Sequence, residues 1–330
     1  MSHKEIAPYI FLLEIPLPET PLKRVNAYLV RGDDRRGGRN LLIDTGFNHA
    51  ECERAMRLAL AALSVDMERT DLFITHMHAD HSGLANTIRG EGGRVFAGRE
   101  DAWLIADAHN PVFWRGLLSF YRFTGLTGYG FSNDVTVHPG YSWAPPAGAA
   151  VTEVADGETI RVGDYSLRCI ATPGHTRGHM CLYEPERRIL FSGDHILGRI
   201  TPNITLSAPD EDVLAQYFAS LDKVSKLDVR IVFPGHRHAL DDCRARIGEL
   251  REHHARRLDE VAGILSGRVL STVEVTREMR WSLTYRNWEE YPPAQKMFSA
   301  GEAFAHLYHL VRTGRAGMRE DGGMYVFYPA

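Results

Sequence analysis

The sequence is short of the features that would place it in a special class. Only four cysteines occur in 330 residues (Cys52, Cys169, Cys181 and Cys243), with no CxxC pair among them. That argues against a disulfide framework and a zinc–thiolate site, and predicts reduced, buried thiols. No apolar run approaches the length that spans a bilayer, so no membrane partner is expected. Residues 1–10 lack an apolar core followed by a small-residue cleavage site, which argues against a signal peptide and makes a cytoplasmic location the expectation. Neither sign of charge dominates: the net charge is −4 and the pI near 6.5, so there is no global attraction for nucleic acid or anionic membrane. No internal repeat or low-complexity segment stands out. Apolar residues make up 44% and charged residues 24%, the balance of an ordinary globular chain. The length suggests one large domain, or a core domain plus a smaller one. The one excess is histidine, with 16 residues, many of them clustered.

Hydrophobic periodicity lays out alternating strands and helices. Residues 9–15, 26–31 and 40–44 read as short strands, 49–63 as an amphipathic helix and 71–75 as a strand, a βαβ order. A short helix over 84–89, a strand over 94–97 and a helix over 100–108 follow. Residues 111–131 are dense in aromatics, including Trp114, Phe120, Tyr121, Phe123, Tyr129 and Phe131. They read equally as a lid over a substrate pocket or as a helix packed on the core. Strands return at 151–154, 159–162, 165–172, 180–183 and 188–192, with Asp156-Gly157 and Gly163-Asp164 as hairpin turns. A helix over 210–224 and a strand over 228–233 close this part, which suggests two sheets packed face to face with helices outside. The tail differs. Helices over 241–266, 272–279 and 293–313 precede a hairpin whose turn is Asp321-Gly322-Gly323.

Four histidine clusters each follow a strand. The first is Thr75-His76-Met77-His78-Ala79-Asp80-His81-Ser82-Gly83. The others are Gly174-His175-Thr176-Arg177-Gly178-His179, Gly193-Asp194-His195 and Pro234-Gly235-His236-Arg237-His238. Imidazole and carboxylate are the donors that zinc and similar ions prefer. A glycine before a donor lets the backbone turn sharply. His76, His78, Asp80, His81, His175, His236 and Asp194 together exceed what one ion takes. Two ions with a carboxylate and a hydroxide between them are the natural solution.

The order His-x-His-x-Asp-His, Gly-His-Thr-x-Gly-His, Gly-Asp-His, Pro-Gly-His resembles the metallo-β-lactamase fold superfamily, closest to its glyoxalase II-like and lactamase-like hydrolases. The resemblance implies an α+β fold, an αββα sandwich, with the site at the sheet edge. It implies that His76, His78 and His175 bind one metal, that Asp80, His81 and His236 bind the other, and that Asp194 bridges both. Zinc is the default, with iron or manganese open. Asp80 and Asp194 are the expected catalytic carboxylates. Asp44 looks like the carboxylate that orients a ligand histidine from behind. His179, His195 and His238 match no ligand position and are read as supporting or structural, with a pocket role for His195 open. An aspartate at 194 speaks against lactam hydrolysis as the main activity.

Residues 296–310, with Gly301, Glu302, Ala303, His306 and Leu307, resemble the winged-helix-like C-terminal module of lactamase-like hydrolases. The expected division is therefore a catalytic domain over 1–243 and a helical, winged-helix-like module over 244–330. Such modules pack, dimerise or bind nucleic acid. A homodimer stays open, and the mixed charge of the tail disfavours nucleic acid. The expected activity is dinuclear, hydroxide-driven hydrolysis of an ester or thioester of a small organic acid. The alternatives are a lactonase, an endoribonuclease cleaving RNA phosphodiesters, or, least favoured, a metal-holding protein without turnover.

Overall fold

The structure, a computed structural model, describes residues 3–32, 38–129, 134–148, 150–205, 210–283 and 285–330. Phe131 of the aromatic stretch lies outside them. The chain forms two compact units. The first takes Met1–Asn110, Pro139–Pro202 and Ser220–Arg246; the second takes Pro111–His138, Asn203–Ala219 and Ile247–Ala330.

Two sheets make up the first unit. Strands β1 (His3–Ala7), β2 (Ile10–Pro16), β3 (Arg24–Val30), β4 (Asn40–Ile43), β5 (Thr70–Ile74), β6 (Val95–Gly98) and β7 (Val151–Val154) pair in sequence order. Strands β8 (Thr159–Val162), β9 (Tyr165–Ala171), β10 (Met180–Glu184), β11 (Ile189–Gly193) and β12 (Ile231–Pro234) form the second sheet, with β12 beside β11. Strict alternation divides the first sheet's side chains between two cores. Leu13, Ile15, Leu29, Leu42 and Leu72 pack against Met56, Ala59 and Leu60 of helix α1 (Ala50–Ala62). Tyr28, Val30, Leu41, Ile43 and Phe73 face Leu167, Cys169, Leu182, Phe191 and Phe233 of the second sheet. This is the expected face-to-face sandwich. Short helices α2 (Ala79–Ser82) and α3 (Ala85–Ile88) follow β5, and helix α4 (Arg99–Ala106) follows β6.

Two local expectations fail. Periodicity predicts no strand at residues 3–7, yet β1 pairs antiparallel with β2. It is an edge strand, so its ladder partner rather than an apolar alternation holds it in place. The turn at Asp156-Gly157 reads as the closure of a hairpin. Instead β7 runs parallel to β6 in the first sheet while β8 joins β9 in the second, so the turn carries the chain from one sheet to the other. Turn chemistry alone reports a reversal, not which neighbour each strand will find.

The second unit contains helix α5 (Pro111–Tyr121); helix α6 (Pro139–Ser142) belongs to the first. Trp114, Leu118 and Tyr121 of α5 are buried, and Leu118 and Tyr121 join Leu126, Val273, Trp288, Met297 and Ala300 in one apolar cluster. Here Trp114, Phe120 and Tyr121 of the aromatic stretch are core. Helices α9 (Thr272–Glu278) and α10 (Pro293–Arg312) accompany a small sheet ordered β13 (Leu270–Ser271), β15 (Met324–Pro329), β14 (Ala316–Asp321) in this unit, which also takes α7 (Val213–Ser225) up to Ala219 and α8 (Cys243–Leu265) from Ile247 on. Asp321 pairs with Met324 across Gly322 and Gly323, both at positive φ, as the hairpin signal requires.

A buried histidine pair lies in this second unit. The His306 Nδ1–H donates to the Glu302 carbonyl at 2.8 Å, so Nε2 is left to accept from His254 Nδ1–H at 3.0 Å. Burial holds His306 down at about 3, against an ordinary 6.5. The unfolded chain therefore takes up a proton near pH 6.5 that the folded chain refuses. Stability should be full above that value and fall by about 1.4 kcal/mol per pH unit below it, for this one group. The check is the urea midpoint from about pH 7.5 to about pH 5, where His306→Gln should flatten the slope by that amount. Parallel slopes for variant and wild type would reject it.

Candidate metal centre

Parallel and antiparallel pairing together bring the clusters to one edge. Strands β4 and β5 run parallel, as do β11 and β12, and β9 runs parallel to β11 through the shared neighbour β10. The C-terminal ends of β4, β5, β9, β11 and β12 lead into Asp44 and the four histidine clusters.

Just past β4, Asp44 adopts the left-handed φ of +58°. This aims its carboxylate at the next loop. The Thr75 N–H donates to Asp44 Oδ1 at 2.8 Å and the Thr75 hydroxyl to Oδ2 at 2.9 Å. With its proton committed, that hydroxyl accepts the Nδ1–H of His76 at 3.0 Å. The His81 Nδ1–H also donates to Asp44 Oδ2, at 2.8 Å. His236 is set in the same way, with its Nδ1–H on the Arg24 carbonyl at 2.9 Å. Three tautomers are thereby fixed with Nε2 turned inward.

The inward atoms crowd together. His76 Nε2 lies 3.0 Å from His78 Nδ1, and His81 Nε2 lies 3.3 Å from His236 Nε2. Asp80 Oδ2 is 3.2 Å from His236 Nε2 and 3.7 Å from His81 Nε2. Asp194 reaches His81 at 3.5 Å, His236 at 3.6 Å and His175 at 3.8 Å, each at Nε2. Asp194 Oδ1 is buried with no hydrogen-bond partner among the described residues. Lone pairs and carboxylate oxygens facing one another at this spacing repel unless a proton or a cation lies between them.

The electrostatics point the same way. Burial works to lower His81, but the Asp44, Asp194 and Asp80 carboxylates outweigh it and hold the imidazole up at about 10. Burial likewise opposes charge on Asp80, yet His81, His236 and His78 keep its carboxyl well below the usual range. The pocket favours added positive charge. Three groups have donor atoms mutually close enough to hold an ion: His76, His78 and His175; His76, His81 and Asp194; Asp80, His81 and His236. The donor chemistry fits divalent metal.

The structure thus brings all seven expected donors together, with Asp44 behind His81. The remaining histidines do not join the donor groups. His179 Nε2 accepts the Asp194 N–H at 3.1 Å while its Nδ1–H donates to the Thr172 hydroxyl at 2.7 Å, so it anchors the backbone of Asp194. His195 is fully buried, with its backbone N–H on the Ser192 carbonyl, and His238 is exposed.

Sequence reasoning misses the residues that hold the loops. Asn26 Nδ2 donates to the carbonyls of Pro234 and Arg237 at 2.9 and 2.8 Å, and Tyr28 Oη donates to Pro234 at 2.7 Å. Asp101, almost fully buried in the first turn of α4, accepts from Met77, Thr176 and Gly178. Burial pushes its carboxyl up to about 6 despite these donors. An acid in a helix's first turn reads as a surface complement to the dipole, and nothing local separates Asp101 from Glu100.

The family model for the metallo-beta-lactamase superfamily matches residues 20–236. The chain belongs to that superfamily. A crystal structure of a metallo-beta-lactamase family protein from Thermus thermophilus is 29% identical, with a TM-score of 0.80 over 99% of this chain and 100% of that one. The probable metallo-hydrolase YqjP of Bacillus subtilis is 26% identical over 82% of this chain and 84% of its own. The acyl-coenzyme A thioesterase MBLAC2 of Gallus gallus is 28% identical over 71% of this chain and 80% of its own. In this superfamily member the matched span contains all seven donors and stops at His236, the last of them. Among the described residues no helix is long and apolar enough to cross a membrane.

Proposed function

We propose that this superfamily member is a dinuclear metal hydrolase acting on a thioester or ester of a small organic acid. The observation that carries the reading is the convergence of seven inward donors with Asp194 among three imidazoles. His76, His78 and His175 would hold one ion, Asp80, His81 and His236 the second, and Asp194 would be shared. Two divalent ions held there, zinc by default, would supply a nucleophile from water at neutral pH and polarise the substrate carbonyl. The chain's own part is to aim the donors by fixing which ring nitrogen faces inward. Asp44 does this directly for His81 and through Thr75 for His76, and the Arg24 carbonyl does it for His236. The thioester half of the reading draws support from the likeness to the acyl-coenzyme A thioesterase, whose name gives a coenzyme A thioester as its substrate.

The test is a panel of acyl-thioesters, lactones and phosphodiesters on zinc-loaded protein. Thioester turnover should exceed the others by at least about tenfold in kcat/KM, a difference of roughly 1.4 kcal/mol in transition-state binding. Preferential lactone opening or RNA cleavage would replace the reading with one of its rivals. No turnover on any class at full metal occupancy would favour a binding protein.

A further inference from the structure

The two proposed ion positions share the Asp44 network but differ in one support. One buried carboxylate, Asp101, ties together the two loops that supply His76, His78 and His175. It accepts from the Met77 N–H at 2.8 Å, the Gly178 N–H at 2.8 Å and the Thr176 hydroxyl at 2.6 Å. Met77 stands between His76 and His78, and Thr176 directly follows His175. The approach is close enough to demand glycine on both sides. A Cβ on Gly178 would fall 2.3 Å from the Asp101 nitrogen and 2.7 Å from Oδ1, and one on Gly98 would fall 2.1 Å from the Gly178 carbonyl. The second trio rests elsewhere. His81 leans on Asp44, His236 on the Arg24 carbonyl, and the 234–237 loop on Asn26 and Tyr28. None of these bonds involves Asp101.

We propose that Asp101 is a positioning residue for the His76–His78–His175 trio alone. The inference rests on the two-ion reading above. The carboxylate sets the separation between the 75–83 loop and the 172–179 loop, and so the spacing of three imidazoles it does not touch. Three donors converge on it, so an amide in its place would turn its own N–H groups towards at least one of them. The 172–179 loop would then drift from its neighbour, while the Asp80–His81–His236 trio kept its support.

The experiment is zinc titration of the full chain against a chromophoric chelator, resolving both equivalents, for wild type and Asp101→Asn. One affinity should fall by about 10- to 100-fold and the other by less than roughly threefold, the size expected when a ligand's supporting contact is lost. Thr176→Val removes one of the three bonds and should shift the same equivalent by less. It decides the matter if Asp101→Asn does not fold. Cobalt substitution gives an independent readout, with one set of visible bands altered and the other kept. Equal weakening of both equivalents would overturn the proposal in favour of general loosening, and two unchanged affinities would overturn it outright. Fewer than two equivalents on wild type would instead overturn the two-ion reading on which it stands.

Discussion

Asp194→Ala should cost both metal and turnover while changing the stability of the metal-free protein little. The asymmetry follows from its surroundings. Asp194 lies 3.5–3.8 Å from Nε2 of His81, His236 and His175. In the proposed site it is the one donor common to both ions. Losing it removes several kcal/mol of ion-based stabilisation, a fall in kcat of roughly a thousandfold or more. Without metal the same carboxylate carries an oxygen that is buried and lacks a hydrogen-bond partner among the described residues. Removing it relieves a desolvation cost but also gives up its attraction for the His81 ring, and the two contributions oppose each other. Elemental analysis and steady-state kinetics, with urea unfolding of the stripped protein, measure the three quantities. A variant that kept two metals and near-normal turnover would reject the shared-ligand assignment.

Asp44→Ala should do the reverse and damage the scaffold first. Its carboxylate accepts three bonds, from the Thr75 N–H, the Thr75 hydroxyl and the His81 Nδ1–H, all buried. Truncation leaves two buried N–H donors without their acceptor and frees the tautomers of His81 and His76. The expected loss is about 3–5 kcal/mol of stability even without metal. Alanine tolerates φ +58° less well than aspartate, which adds up to about 1 kcal/mol of backbone strain. Asp44→Asn tolerates that φ and keeps one acceptor oxygen, so it should fall between alanine and wild type. The urea midpoint of the stripped protein checks this, and an unshifted midpoint for Asp44→Ala would show that the network carries no weight.

Much of the candidate metal centre is legible in the sequence because its donors are chemically rare and sit in short runs after strands. His76, His78, Asp80 and His81 share one loop, so covalent connectivity alone keeps them within reach of a common point. The same holds for the order of strands and helices, whose periodicity is local. The residues that hold the loops in place are not legible. Asn26, Tyr28 and Asp101 are separated from their partners by 206, 208, 211, 24, 75 and 77 positions, and none belongs to a motif. The crossing at Asp156-Gly157 and the edge strand β1 escape for a related reason, since sheet membership depends on a neighbour rather than on the strand itself.

The sequence alone determined which side chains could bind metal, that seven of them exceed the needs of one ion, and that strands would deliver them to turns. Local chemistry and period suffice for that. Tertiary contacts alone turn Nε2 of His76, His81 and His236 inward, because a tautomer depends on what the other ring nitrogen meets. The tertiary structure alone packed α5 into a core with Val273 and Met297. It alone set Asp101 between two loops, one 24 residues away and the other 75 to 77. Those outcomes are set by contacts between segments far apart in the chain, which no short window of sequence contains.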